Sequence, residues 1–146
     1  MQKTVTINAN VGNTYEVSLT TRHFSMKVDQ PKPSGNDAAP TPLEYFLFAL
    51  GACTCTIGKI VAEQRKIKLN AINANVEGDI DTNYLLGKTK EGRAGFTNIR
   101  IKVEVDADLN DEEKIEFINE VLHRCPIHDN IENSTNISVG NAFIRS

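Results

Sequence analysis

Cys53 and Cys125 are the residues whose surroundings suit a working thiol better than a structural one. Cys53 ends the apolar run Tyr45-Phe46-Leu47-Phe48-Ala49-Leu50-Gly51-Ala52-Cys53, and Cys125 closes a charged, amphipathic segment at residues 111–124, directly before Pro126. A thiolate is the nucleophilic form of cysteine, and nearby charge, helix termini and burial govern how readily it forms. Pro126 disfavours helical geometry at Cys125 and is itself suited to open a helical turn, so Cys125 is expected near the N-cap of that turn, where a thiolate is stabilised. Three cysteines are an odd number for a disulfide scaffold, and cytosolic disulfides are usually transient, catalytic or redox-sensing. The third, Cys55, is turned from Cys53 by about 200° on a helix, so those two sulfurs cannot bond within an intact helix, and Cys55 is assigned to packing. Each thiol also has a plain reading as a small buried hydrophobe.

Other chemistry is thin. His23, His123 and His128 lack metal-ligand spacing; a zinc site can be imagined from Cys53-Thr54-Cys55 with Cys125 and a histidine, but the opposed directions of Cys53 and Cys55 argue against it. No metal and no cofactor is expected. The chain of 146 residues and 16.1 kDa fits a single domain, residues 1–146. A net charge of −3 with a pI near 5.6 supplies no basic footprint for nucleic acid. The first residues lack the apolar h-region of a signal peptide, so the expected location is the cytoplasm. Residues 45–58 carry no charge, a run shorter than the ~20 apolar residues of a membrane span, and fit a core helix; no membrane association is expected.

The elements that must position the two thiols are legible from periodicity. Residues 4–8 alternate, Asn10-Val11-Gly12-Asn13 supply turn chemistry, and residues 15–21 form a second β-rich run, which together read as a hairpin. Phe24, Met26 and Val28 alternate in a third strand, and residues 29–37 break regular structure through Pro, Gly, Ser and Asn. Thr41 as N-cap, Pro42 at the first helical position and Glu44 closing a capping box then start a helix that runs to about Arg65. On it, Gly51, Cys55, Gly58 and Ala62 form a stripe of small side chains that another helix could approach closely. Phe46, Leu50, Cys53, Ile57 and Ile60 share a bulkier face. Strands follow at residues 68–81 and 96–107, joined by a polar, mobile hairpin connection; the second alternates Ile99, Ile101, Val103 and Val105 with charged residues, as a half-exposed antiparallel sheet does. Asn110 or Asp111 caps a helix opened by Asp111-Glu112-Glu113, with Ile115, Ile118, Leu122 and Cys125 on one face. A short helix and a closing strand, residues 136–144, complete an α+β order.

In that order, residues 23–58 resemble the OsmC/Ohr superfamily, through Val28-Asp29-Gln30-Pro31, Gly35, Pro40-Thr41-Pro42-Leu43-Glu44 and Ala49-Leu50-Gly51-Ala52-Cys53-Thr54. Gly92-Arg93-Ala94-Gly95-Phe96 and Arg124-Cys125-Pro126-Ile127 resemble its later landmarks, and two separated cysteine motifs make the likeness far more specific than either alone. The resemblance implies an intertwined homodimer, antiparallel sheets wrapped around central helices, with active sites at the subunit interface. It implies a thiol-dependent peroxidase of the oxidative-stress response that takes an organic hydroperoxide as substrate and an outside thiol as reductant. Cys53 would be peroxidatic and Cys125 resolving, with Arg22, the one arginine before the helix, as the catalytic arginine and Glu44 as the candidate catalytic glutamate. The well-characterised organic-hydroperoxide branch places its glutamate directly after the helix proline, where this chain has Leu43; Glu44 is turned by about 100° from it, as in a less characterised branch. Glu44 also reads as a capping residue and Arg22 as a solvated strand charge. The competing function is a non-catalytic protein that binds a small hydrophobic ligand or senses redox state.

Overall fold

The computed structural model describes residues 1–140, arranged as two compact units, Met1–Ala49 and Leu50–Ser146. Three strands, β1 (Asn8–Val11), β2 (Val17–Thr21) and β3 (Phe24–Val28), form an antiparallel sheet in the first unit in the order β1-β2-β3. Register aligns apolar residues in rows: Val11 with Val17 and Val28, and Ala9 with Leu19 and Met26. The sequence places the first strand at residues 4–8, but pairing begins at Asn8, opposite Thr20. The reason is the short β2–β3 connection. Thr21 pairs with Phe24, so β2 ends there; in this register residues 4–6 run beyond it, and the Thr21 hydroxyl donates to the Thr6 carbonyl at 3.0 Å.

The segment after β3 is organised by one buried carboxylate. Asp29, 1% exposed, accepts hydrogen bonds from the backbone N–H groups of Gln30 at 2.8 Å and of Asn36 and Ala38 at 3.1 Å each. The N–H of Ala38, then that of Gln30, hold its carboxyl below the ordinary range against the opposing effect of burial. Gly35 lies inside this loop: a Cβ there would come within 2.3 Å of the Gln30 carbonyl oxygen and 2.4 Å of the Asp29 carboxylate. The loop delivers the chain to helix α1 (Pro42–Gln64), whose first turn is capped by Thr41 Oγ1 accepting from the Glu44 N–H at 3.3 Å.

The second unit contains a ribbon of two long antiparallel strands, β4 (Leu69–Ile80) and β5 (Phe96–Ala107). Their alternating burial follows the alternating sequence. The expected mobile connection between them contains one helical turn, α2 (Thr82–Leu85), capped by the Asp81 carboxylate accepting from the Asn83 N–H at 2.9 Å. Helix α3 (Asp111–Arg124) opens with a complete capping box between Asn110 and Glu113, and α4 (Pro126–Glu132) follows after Cys125 alone.

Val61 and Ala62 of α1 and Phe117 and Val121 of α3 form the buried core, flanked by Ile57, Ile72 and Val105 among others. The small-residue stripe of α1 admits a strand as well as a helix. A Cβ at Gly51 would meet Val76 of β4 at 3.5 Å; one at Gly58 would meet Ile72 of β4 at 2.7 Å and Phe117 and Val121 of α3 at 3.9 Å. On α3 the buried pair is Phe117 and Val121, while Ile115, expected on the inner face, is 60% exposed. The packed face is therefore rotated from the one that the aliphatic residues alone suggest, because Phe117 carries the largest apolar side chain into the gap above Gly58. Residues 136–140, expected as the start of a last strand, are irregular, and the rest of that expected strand, residues 141–144, lies outside the described residues.

Helix α1 has 23 residues and an 18-residue window of mean hydropathy 1.6, enough by length and composition to cross a membrane. A core helix meets the same measure, and the buried residues of α1 are Leu50, Thr54, Gly58, Val61 and Ala62. Phe48 is 60% exposed, with Phe46 and Ile60 exposed to a lesser degree.

Candidate active site

Two elements bring Cys53 and Cys125 together. Cys53 sits at the middle of α1, half-buried, and Cys125 at the break between α3 and α4, fully buried; both are free thiols. The break has a local cause. Cys125 is extended, with φ −77° and ψ 113°, as the following Pro126 requires, and it ends α3 while serving as N-cap of α4. As an N-cap side chain, its Sγ accepts from the His128 N–H at 3.5 Å.

The Cys53 and Cys125 side chains lie close enough to influence each other, and the Ile127 N–H also reaches Cys53. Burial pushes the Cys53 thiol up to about 11, the neighbouring Cys125 adds to the rise, and the Ile127 N–H opposes it. The arrangement is thus a pair of sulfurs, one reachable and one enclosed, with backbone N–H groups of one short helix turned towards them. Two sulfurs placed near each other are suited to form a covalent bond once one of them is oxidised. The Ile127 and His128 amides were not named by sequence reasoning, although Pro126 at the first helical position is the signal that places them.

Cys55 faces elsewhere, its Sγ directed at the Ile72 carbonyl at 3.8 Å, in keeping with packing against β4. Arg22 and Glu44 lie in the other unit, Met1–Ala49. Arg22 occupies the tip of the β2–β3 hairpin with φ 53°, and its guanidinium rests 4.9 Å from the centre of the Phe24 ring. The His23 ring stacks on the same Phe24, with ring centres 4.1 Å apart. Among the described residues Arg22 has no ion-pair partner. Glu44 stands exposed in the first turn of α1, next to Leu43, which is 39% exposed. No three His, Cys, Asp or Glu side chains gather into a metal-binding group among the described residues.

Residues 35–140, a stretch that includes both cysteines, match the family model of OsmC-like proteins. The chain belongs to the OsmC family. This OsmC-like chain is 27% identical over 139 residues to a hydroperoxide reductase of Mycoplasma genitalium, covering 95% of this chain and 94% of the relative. A hydroperoxide reductase of Mycoplasma pneumoniae is 24% identical over 139 residues, with coverage of 95% and 94%. Among solved structures, an OsmC-like protein from Mycoplasma pneumoniae superposes with a TM-score of 0.80 at 26% identity, covering 92% of this chain and 91% of that one. The mixed helices and antiparallel sheets are those of an OsmC-like fold, and the family points to a peroxide-related role.

Proposed function

We propose that this OsmC-like protein reduces organic hydroperoxides with Cys53 as the attacking thiol and Cys125 as the resolving one. The observation that carries the reading is the nearness of the two thiols, close enough to influence each other, with Cys53 half-buried and Cys125 fully buried. The attacking sulfur must meet the substrate, and the resolving sulfur only the first sulfur. The Cys53 thiolate attacks the O–O bond, leaving a sulfenic acid and releasing an alcohol; the Cys125 thiol condenses with the sulfenic acid, giving a disulfide and water. Two equivalents of an outside thiol return the pair to the dithiol and are oxidised to their own disulfide. The names of the curated relatives support a hydroperoxide as substrate.

With a thiol at about 11, only on the order of one molecule in ten thousand would be ionised at pH 7. A cation is therefore needed beside Cys53, and Arg22, which has no ion-pair partner among the described residues, is proposed for that part, with Glu44 as its acidic counterpart on α1. The protein is further proposed to be one OsmC-like domain that works in the cytoplasm as an intertwined homodimer. The half-exposed Phe46, Phe48 and Ile60 of α1, and Val11, Phe24 and Met26 of the sheet, support that association. The raised thiol and Leu43 favour a second reading: an apolar cavity at the interface that binds a small ligand, with cysteines that oxidise but do not turn over.

Titration of the reduced protein with cumene hydroperoxide and with hydrogen peroxide, peptide mass mapping, and a turnover assay with a dithiol separate the two. Many cycles through a Cys53–Cys125 disulfide support the reductase. A Cys53 that stays reduced, or reacts once without turnover, leaves the binding reading.

A further inference from the structure

The end of α1 and the end of α3 are tied by an ion network that the packing of the core does not require. Glu120 of α3 is about one-quarter exposed; its Oε1 accepts from Arg124 Nη1 at 3.0 Å, one helical turn on, and its Oε2 pairs with Arg65 Nη2 just beyond α1. The same Arg124 Nη1 donates to Gln64 Oε1, the last residue of α1, at 2.9 Å. Glu120 therefore faces guanidinium groups of two different elements, hydrogen-bonded to Arg124 through Oε1 and in ion-pair contact with Arg65 through Oε2, which has no hydrogen-bond partner among the described residues. Contacts along α3 run from Glu120 at Arg65, through Val121 at Gly58, to Cys125 at Cys53, so the two helices pass in opposite directions and the network sets where one stands along the other.

The core between them, Val61, Ala62, Phe117 and Val121, is apolar, and the burial that drives it is non-directional. The hydrogen bond from Arg124, itself oriented by Glu120, to Gln64 at the end of α1 is directional and does not tolerate a slip of α3 along α1. Cys125 follows Arg124 immediately, so any displacement of the α3 end passes to the Cys125 sulfur.

We propose that Glu120, held between Arg65 and Arg124, is a positioning residue that keeps Cys125 in register with Cys53. The proposal rests on the reading of these cysteines as a working pair. Its function is to raise the effective concentration of one thiol for the other, which decides how fast a Cys53 sulfenic acid is closed to the disulfide and how stable that disulfide is. Misplacement by about 1 Å is enough to lower such a quantity by one to two orders of magnitude.

The test is the thiol–disulfide equilibrium in glutathione buffers, in which the protein dithiol and oxidised glutathione give the protein disulfide and two reduced glutathiones. It needs no peroxide, so loss of peroxidase turnover in the wild type and failure of the positioning role are separate results. Glu120→Gln is expected to lower the effective concentration about tenfold and to increase dimedone-trapped Cys53 sulfenic acid after one equivalent of peroxide. Lys59→Gln, which removes an exposed ion pair with Glu63 on the same helix, should leave both unchanged. If Glu120→Gln does not fold, Arg124→Lys keeps the charge but loses the forked geometry and should shift the equilibrium in the same direction. High salt should weaken the wild-type pair and not the Glu120→Gln pair. An effective concentration within twofold of wild type in these folded variants, or a wild-type pair that stays reduced at every glutathione ratio, overturns the proposal.

Discussion

At the scale of single residues, the protein turns on how two groups are held against water. Cys53 is raised first by burial and then by the neighbouring Cys125, so Cys125→Ala removes an upward contribution. The pH midpoint of iodoacetamide labelling at Cys53 should fall in that variant while staying above the ordinary ~8.5. Arg22→Met should do the reverse, moving the midpoint towards about 11 if Arg22 is the activating cation; an unchanged midpoint would assign activation to another group. Asp29 has the opposite sign to Cys53. Its folded carboxyl is held low by three backbone N–H groups, so its contribution is complete above the unfolded value of about 3.9 and is lost as pH falls through the folded one. Asp29→Asn should therefore destabilise the protein at neutral pH and flatten the fall of its melting temperature between pH 5 and 2, as read by calorimetry.

At the scale of elements, helix ends decide more than helix middles. Helix α1 ends in a Schellman arrangement, the Lys66 N–H donating to the Glu63 carbonyl at 3.2 Å and the Ile67 N–H to the Ala62 carbonyl at 2.8 Å, with Lys66 at φ 57°. A side chain in that left-handed geometry costs about 1–2 kcal/mol, and glycine loses part of the gain to the entropy of the unfolded chain. Lys66→Gly is thus expected to stabilise by about 0.5–1 kcal/mol, visible as a rise of roughly 2 °C in Tm. Helix α3 ends because Pro126 forbids its continuation at Cys125, and the same proline starts α4. One residue type therefore both exposes the Cys125 side chain to Cys53 and aims two amides at the sulfurs.

At the scale of the whole molecule, the open question is what covers the apolar side chains left at the surface. Phe48 is 60% exposed and Val11 53%, and the proposed homodimer would cover such side chains. Light scattering should give twice the 16.1 kDa of one chain, and Phe48→Glu should return it to a single chain while abolishing peroxide turnover. A wild-type mass of one chain would remove the interface on which the substrate site is proposed to lie.

The strands at residues 96–107, both long helices and the break at Cys125 were legible in the sequence, because alternation, capping residues and proline act over a few neighbours and need no distant partner. So was membership of the OsmC family, carried by two cysteine motifs in order. The tertiary structure alone decided what depends on contacts between distant segments: that β1 starts at Asn8, where β2 provides a partner; that Phe117 and not Ile115 fills the gap above Gly58; and that Asp29 becomes the buried centre of a loop. Above all it decided that Cys53 and Cys125, 72 positions apart in the chain, lie close enough to influence each other. Local pattern specifies each helix and where it stops, but the packing of α3 on α1 is what places one sulfur against the other.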